Sequence, residues 1–240
     1  MTLNTSYKVL IGVLVAAVVL GGGLTIHFIV FQEDTSSGLN VIPRRDIRFK
    51  EGNQESAQTY VDEMNNFLMP YFEIVPNEKY IKCNSSARPK GDQVCIFPES
   101  YLGACDTIND YSFNKNSPCV LLTLSMDDSF RLKPYERLDE LPEDIPPDLR
   151  IDIEDEAKLG KLKKGIYIDC TNEYLYTPGP IFPDYYFDNI DVAGYLPPVV
   201  GVKIKLHEKN KTVKIECKLW AKNIDHTDKR SKVSFIIHME

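Results

Sequence analysis

Residues 212–220 read TVKIECKLW, an alternating stretch that points to a β fold. Its apolar members share one face of an extended strand: Val213, Ile215, Cys217 and Leu219. Successive side chains of a strand point to opposite sides, so one face should lie in a core and the lysine-rich face in water. A cysteine on the core face suggests a buried disulfide.

A second stretch, GIYIDC at residues 165–170, places Cys170 on the same face as Ile166 and Ile168. Two inward cysteines on separate strands predict a bridge across a β-sandwich. Further strands are predicted at 119–124, 200–206 and 233–237. The segment HEKNK, residues 207–211, separates two alternating strands and is predicted to form a hairpin loop.

The chain has six cysteines, an even number that favours disulfides: Cys83, Cys95, Cys105, Cys119, Cys170 and Cys217. Zinc would call for CxxC pairs or histidines at short spacing, and neither occurs. Pairs between Cys83 and Cys95 and between Cys105 and Cys119 would close short local loops. The sequence alone leaves the pairing open.

One helix is predicted over residues 53–68, with Asn53 as its cap and Pro70 as its end. Its apolar residues recur at helical spacing and should pack against the core: Ala57, Tyr60, Val61, Met64, Phe67 and Leu68. The preceding residues, 32–52, are polar and are predicted to be a stalk. Residues 53–240 are then the disulfide-bonded ectodomain.

Residues 9–31, VLIGVLVAAVVLGGGLTIHFIVF, contain no formally charged side chain. About 20 apolar residues cross a hydrocarbon core of about 30 Å, so this run predicts a transmembrane signal-anchor helix in a lipid bilayer. A cleaved signal peptide with Gly21 and Gly23 before the cut is the alternative, although its apolar core would be shorter.

The charges beside this run predict its orientation. Lys8 and the amino terminus precede it, whereas Glu33 and Asp34 follow it. Positive residues remain on the cytoplasmic side, so residues 1–8 form a cytoplasmic tail and the C-terminus is extracellular. The prediction is a single-pass type II membrane protein.

Composition and motifs exclude several functions. The net charge of −7 argues against nucleic acid as a partner. No nucleophile elbow, zinc-protease, phosphate-loop or dinucleotide motif occurs, so no catalytic residue, cofactor or metal is expected. Within the acidic residues 139–156, the spacing of Asp152, Glu154 and Glu156 is similar to the start of a calcium loop. No glycine follows, however, and Lys163 stands where a bidentate glutamate is needed. A solvated surface loop is predicted there.

Two glycosylation sequons lie in the predicted ectodomain. Asn210 begins Asn-Lys-Thr inside the predicted hairpin loop, and Asn84 begins Asn-Ser-Ser directly after Cys83. Both asparagines are candidate glycan acceptors, although a disulfide at Cys83 could hinder the second.

An ordered set of segments resembles the β-subunits of the Na,K-ATPase and H,K-ATPase family. The set covers nearly the whole chain: GLNVIPRRDIRFK (38–50), YVDEMNNFLMPY (60–71), VCIF (94–97), LGAC (102–105), PCVLLTL (118–124), Lys133-Pro134 and IECKLWAKNI (215–224). This resemblance implies an immunoglobulin-like β-sandwich with an accessory helix. It also implies disulfides between consecutive cysteines, that is Cys83 to Cys95, Cys105 to Cys119, and Cys170 to Cys217.

The resemblance further implies a non-catalytic subunit of the plasma membrane. It helps an ion-pumping P-type ATPase α-subunit fold, leave the endoplasmic reticulum and reach that membrane, and it influences the pump's potassium affinity. The family's Tyr-Tyr-Pro-Tyr-Tyr-Gly-Lys motif, linked to α-subunit contact, is here FPDYYFDN at residues 182–189. Tyr185 and Tyr186 remain, while Asp184, Phe187 and Asp188 are departures.

Tyr185, Tyr186 and the nearby Tyr195 are therefore candidate partner-binding residues. The alternative is that the two adjacent tyrosines pack the edge of the sandwich. Because the motif diverges, a second function stays open, namely a pump-independent membrane glycoprotein with a cell-adhesion or junction partner.

Overall fold

The computed structural model describes residues 11–20, 23–32, 37–160, 162–171 and 174–240. The predicted cytoplasmic tail, residues 1–8, lies outside this described part. The chain divides into two compact units, Met1–Ser36 and Ser37–Glu240.

In the first unit, β1 (Ile11–Leu20) pairs antiparallel with β2 (Gly23–Gln32). The single helix predicted over residues 9–31 is therefore not what the structure contains. Both strands are rich in valine and isoleucine, which favour extended backbone, and a run of glycines divides the segment. Among the described residues, no helix combines the length and the apolar character that a membrane crossing requires.

The second unit is mainly β with two α-helices, α1 (Gln58–Phe72) and α2 (Pro147–Lys158). The mainly β character of the predicted ectodomain is thus confirmed. Its strands are β3 (Gly38–Ile42), β4 (Ile47–Phe49), β5 (Tyr80–Ile81), β6 (Val94–Cys95), β7 (Cys119–Ser125), β8 (Gly165–Cys170), β9 (Tyr174–Thr177), β10 (Ile181–Pro183), β11 (Val199–Ile204), β12 (Lys211–Trp220) and β13 (Lys232–Met239).

Two larger sheets carry the core of this unit. One has the strand order β10-β8-β12-β13-β4 and the other β3-β7-β11-β9, and every pair except β13 with β4 is antiparallel. Ile168 and Ile215 of the first sheet belong to the same buried cluster as Leu122 and Val202 of the second. The alternating residues therefore face a shared core, as their period predicts.

The predicted stalk, residues 32–52, is largely part of the sheets. Strand β3 pairs with β7, and β4 pairs with β13. Leu39, Ile42, Ile47 and Phe49 are buried. The stalk prediction is wrong over these strands. Strands of three and five residues are too short to show a clear alternation of apolar and polar side chains.

The segment 207–211 is not a hairpin loop. Strand β11 pairs with β7 and β9, whereas β12 pairs with β8 and β13 in the other sheet. The segment therefore passes from one sheet to the other. Alternation in β11 and β12 indicates which face of each strand is buried, but it does not identify the neighbouring strand.

Three disulfides join Cys83 to Cys95, Cys105 to Cys119, and Cys170 to Cys217. These are the pairs that the family resemblance implies. The bridge between Cys170 and Cys217 does not cross the sandwich, however. The two residues face each other on neighbouring strands of one sheet, with their Cα atoms 3.9 Å apart. Because they occupy opposite positions in one ladder, both side chains lie on the same face of the sheet, and both are buried.

Helix α1 follows a short 3₁₀ turn at Gln54–Ala57, where Asn53 Oδ1 accepts a hydrogen bond from the Ser56 amide. The predicted buried stripe is confirmed at Val61 and Leu68, among others. The predicted end at Pro70 is wrong by one half turn, since the helix continues to Phe72. Proline removes one hydrogen bond near the helix end, where few residues follow.

Helix α2 lies where a solvated loop is predicted for residues 139–156. Leu149 and Ile153, one turn apart, pack with Tyr167 and Trp220 in a second, smaller core. A proline at the helix start favours this geometry because its missing amide would have no helical partner. The high acidic content conceals the two apolar positions that anchor the helix.

Candidate partner-binding site

An aromatic cluster brings together the end of α1 and two other segments, around residues 97–101 and 185–186. Its rings, which we call the aromatic cluster, belong to Phe67, Tyr71, Phe97, Tyr101, Tyr185 and Tyr186. Neighbouring ring centroids lie 4.7 Å apart for Tyr185 and Tyr186 and 6.1 Å apart for Phe97 and Tyr186. The Phe97 ring also lies 5.9 Å from the Tyr101 ring and 6.3 Å from the Tyr71 ring. The cluster therefore connects the predicted site to α1.

Tyr186 forms the base of the aromatic cluster. Its side chain is 4% exposed and its Oη donates to the Ile96 carbonyl oxygen at 3.3 Å. Burial raises the pKa of both Tyr186 and the half-buried Tyr185. Tyr186 can position its neighbours, but little of its ring is open to a partner.

Tyr195 lies two residues before Pro197, which is hydrogen-bonded to α1. The Tyr71 Oη of that helix donates to the Pro197 carbonyl oxygen at 2.8 Å. The Tyr195 Oη is buried, and no hydrogen-bond partner for it occurs among the described residues. Burial raises its pKa. The preceding Gly194 has φ +87°, and a Cβ there would lie 2.2 Å from the Tyr80 Oη. The positive φ favours glycine here, and a larger residue would also displace the Tyr80 hydroxyl.

Exposed apolar residues lie at the end of α1 and at the edge of the aromatic cluster. Met69 is 50% exposed and Phe72 45% exposed, and their spacing of three residues places them side by side on the helix. Tyr101, at the edge of the cluster, is 49% exposed. We call Met69, Phe72 and Tyr101 the apolar rim. Sequence reasoning missed this rim. The signal that could have revealed it is FLMPYF, residues 67–72, in which apolar side chains occupy all sides of the helix.

Arg88 fixes the divergent motif to the loop that the Cys83–Cys95 disulfide closes. Its Nε and Nη2 each donate to Asp188 at 2.7 Å, and its Nη1 donates to Asp184 at 3.0 Å. Hydrogen bonding to Asp188 is the main cause that raises the pKa of the guanidinium. The two carboxylates that depart from the family motif thus form a paired contact of their own.

Replacing Arg88 with glutamine is expected to loosen this loop. The charge-assisted contact is partly exposed, so its loss should destabilise the closed conformation of the loop by about 1 kcal/mol. The population of the open loop should then rise about fivefold. Limited digestion of the folded chain by a lysine-specific protease, followed by reduction, would measure cleavage after Lys90. The matched variant Arg137→Gln loses a local pair with Asp139 and should leave that rate unchanged. Equal rates for both variants would contradict the role of Arg88.

The two sequon asparagines are exposed. Asn210 has φ +56° in the turn before β12. Asn84 Oδ1 accepts hydrogen bonds from the amides of Ser86 and Ala87, both at 2.8 Å. Over the described residues, no group of three or more His, Cys, Asp or Glu side chains is placed to hold a metal ion.

Comparison with protein families gives one match, to a model described as the sodium/potassium ATPase beta chain, over residues 8–239. The similar proteins include two from Drosophila melanogaster. The chain is 26% identical over 207 residues to its sodium/potassium-transporting ATPase subunit beta-2, covering 79% of this chain and 63% of the relative. It is 28% identical over 162 residues to subunit beta-1, covering 61% and 50%.

A third similar protein is sodium/potassium-transporting ATPase subunit beta-233 of Anguilla anguilla. It is 25% identical over 208 residues, which is 78% of this chain and 67% of the eel protein. The matched part of the chain thus spans between half and two thirds of the length of these three relatives.

Proposed function

This chain belongs to the sodium/potassium ATPase beta chain family, and from that premise we propose that it is the non-catalytic β-subunit of a P-type cation-transporting ATPase. In this role it assists the folding, membrane delivery and modulation of the ion-pumping α-subunit. The observation that carries the proposal is the family match over residues 8–239, which includes every disulfide and both larger sheets. The resemblance found in the sequence is thereby confirmed.

The contact surface that we propose is the apolar rim. Tyr185 and Tyr186 connect to its Tyr101 ring through the Phe97 ring. Exposed aromatic and methionine side chains are enriched where proteins bind each other because they bury large areas at low entropic cost. We propose that Tyr195 contributes to this surface through its segment, which the Tyr71 hydrogen bond to Pro197 anchors to α1. We also propose that the two sheets pack as an immunoglobulin-like sandwich. Asn210 and Asn84 are proposed to carry glycans.

The test is copurification of the full chain with a P-type ATPase α-subunit after coexpression. Recovery of the α-subunit in a fixed ratio is the expected result. A correctly disulfide-bonded chain at the cell surface that recovers no α-subunit would contradict the proposal. That outcome would favour the adhesion or junction function.

Placement in the plasma membrane, with residues 37–240 outside the cell, is the topology that we propose. It is supported by the uncharged run at 9–31 and by three disulfides, which persist in oxidising compartments. Protease added to intact cells should therefore cleave the unit Ser37–Glu240. Protection of this unit until the cells are permeabilised would overturn the orientation, and a secreted soluble chain would indicate a cleaved leader.

A further inference from the structure

A cleft with a volume of about 690 Å³ lies beside strand β9, and none of its lining residues belongs to the apolar rim. Helix α2 lines one side with Asp148 and Asp152, and strand β11 contributes Lys203. The volume is within the range of clefts that bind ligands. The cleft contains charged, aromatic and main-chain groups that the pump-subunit function leaves unused.

The cleft presents charges of both signs. Asp148 and Asp152 stand one turn apart on α2, so both carboxylates face the same side of the helix. In the part of the chain that the structure describes, the two carboxylates have no ion pair within 4.0 Å. The same holds for the Lys203 ammonium. Partial burial and then the neighbouring Glu156 and Asp148 raise the pKa of Asp152. A ligand with a cation near α2 and an anion near β11 would balance these charges.

Two tyrosines give the cleft a fixed aromatic surface. The rings of Tyr174 and Tyr176 lie 4.7 Å apart. The Tyr174 Oη donates to Asp169 Oδ1 at 2.6 Å, and the Tyr176 Oη accepts from the Cys170 amide at 2.8 Å. These hydrogen bonds hold both rings in place, so a ligand would not have to order them.

Strand β9 also offers main-chain hydrogen-bonding groups. It is the last strand of its sheet and pairs with β11 on one side. Across the described residues, no strand pairs with its other side. Leu175, at the middle of β9, is 60% exposed. An open edge with an exposed apolar side chain is the surface to which an extended peptide can add as a further strand.

We propose that this cleft binds an extended peptide segment of a partner protein, which pairs with the free edge of β9. One of its basic side chains meets Asp148 and Asp152, and one of its acidic side chains meets Lys203. A peptide uses the edge and both charged walls at once. A small zwitterion would reach the charges and leave the edge unpaired.

The probe is a fluorescein-labelled, end-blocked hexapeptide of threonines with one arginine and one glutamate. Its fluorescence polarisation is titrated with the full-length chain. We expect saturable binding with a Kd below about 1 mM. An otherwise identical peptide with alternate amides N-methylated cannot complete a strand ladder, and it should bind at least about tenfold more weakly.

The double variant Asp148→Asn, Asp152→Asn should also weaken the hexapeptide by at least about tenfold, since hydrogen bonds to charged groups are lost. Both residues are exposed, so the fold should persist. The matched variant Glu143→Gln, Asp144→Asn changes the net charge equally outside the cleft and should bind normally.

Three outcomes would overturn the peptide site. The first is the absence of saturable binding up to about 1 mM, and the second is equal binding by both double variants and by the N-methylated peptide. The third is displacement of the hexapeptide by free arginine and glutamate at equal concentrations, which would indicate a small-molecule site instead.

Discussion

Replacing both Cys170 and Cys217 with alanine is expected to lower the free energy of unfolding by about 4 kcal/mol. The bridge spans 47 residues of sequence, so its removal restores a large conformational freedom to the unfolded chain. Both side chains are buried at the centre of the five-stranded sheet. In cells, the variant should be retained in the endoplasmic reticulum. Denaturant unfolding of the purified full-length chain and surface labelling would measure the two effects.

The matched control is the double alanine variant of Cys83 and Cys95. That bridge spans 12 residues, and the same relation gives a loss of about 3 kcal/mol. Using pairs of alanines in both cases avoids a free thiol. A larger loss for Cys83 and Cys95 than for Cys170 and Cys217 would contradict the chain-entropy account.

The buried faces of the longer strands could be predicted from the sequence. In β12, Ile215, Cys217 and Leu219 are buried, while Lys214 and Glu216 are not. This success has a local cause, because a side chain's direction depends only on its position in the strand. The stripe of α1 follows equally from a local period.

The partners of those strands could not be predicted in the same way. Both β11 and β12 alternate, and nothing in either pattern states that they lie in different sheets. The same limit applies to Cys170 and Cys217, whose inward direction is visible but whose common sheet is not. Pairing depends on contacts between distant segments, and a residue pattern within one segment does not contain them.

The candidate contact site shows a similar division. The motif FPDYYFDN leads to the aromatic cluster, in which Tyr186 is buried and Arg88 holds Asp184 and Asp188 from a distant loop. The exposed Phe72 and Tyr101 lie in other segments of the chain. Motif similarity therefore indicates the region, whereas accessibility indicates which side chains a partner could touch.

The double variant Phe72→Ser, Tyr101→Ser is expected to reduce recovery of the α-subunit by at least about tenfold. Aromatic residues at the centre of an interface commonly contribute 2 kcal/mol or more, roughly a thirtyfold change in affinity. Both residues are about half exposed in this chain, so their replacement should change its free energy of unfolding by at most about 1 kcal/mol. Copurification after coexpression and denaturant unfolding of the same preparation would measure both quantities.

Two further variants separate contact from folding. Tyr186→Ala removes a buried ring and should cost about 3 to 5 kcal/mol of stability, so any loss of α-subunit would follow from misfolding. The matched variant Ile108→Ser, Leu159→Ser removes exposed apolar side chains outside the apolar rim and should leave recovery unchanged.

If this control and the rim variant lose α-subunit equally, the rim is not the specific contact. If the rim variant is stable and carries the α-subunit normally, the partner binds elsewhere on the chain. The aromatic cluster would then serve to hold α1 against its neighbouring loops, because its buried rings contact one another whether or not a partner is bound.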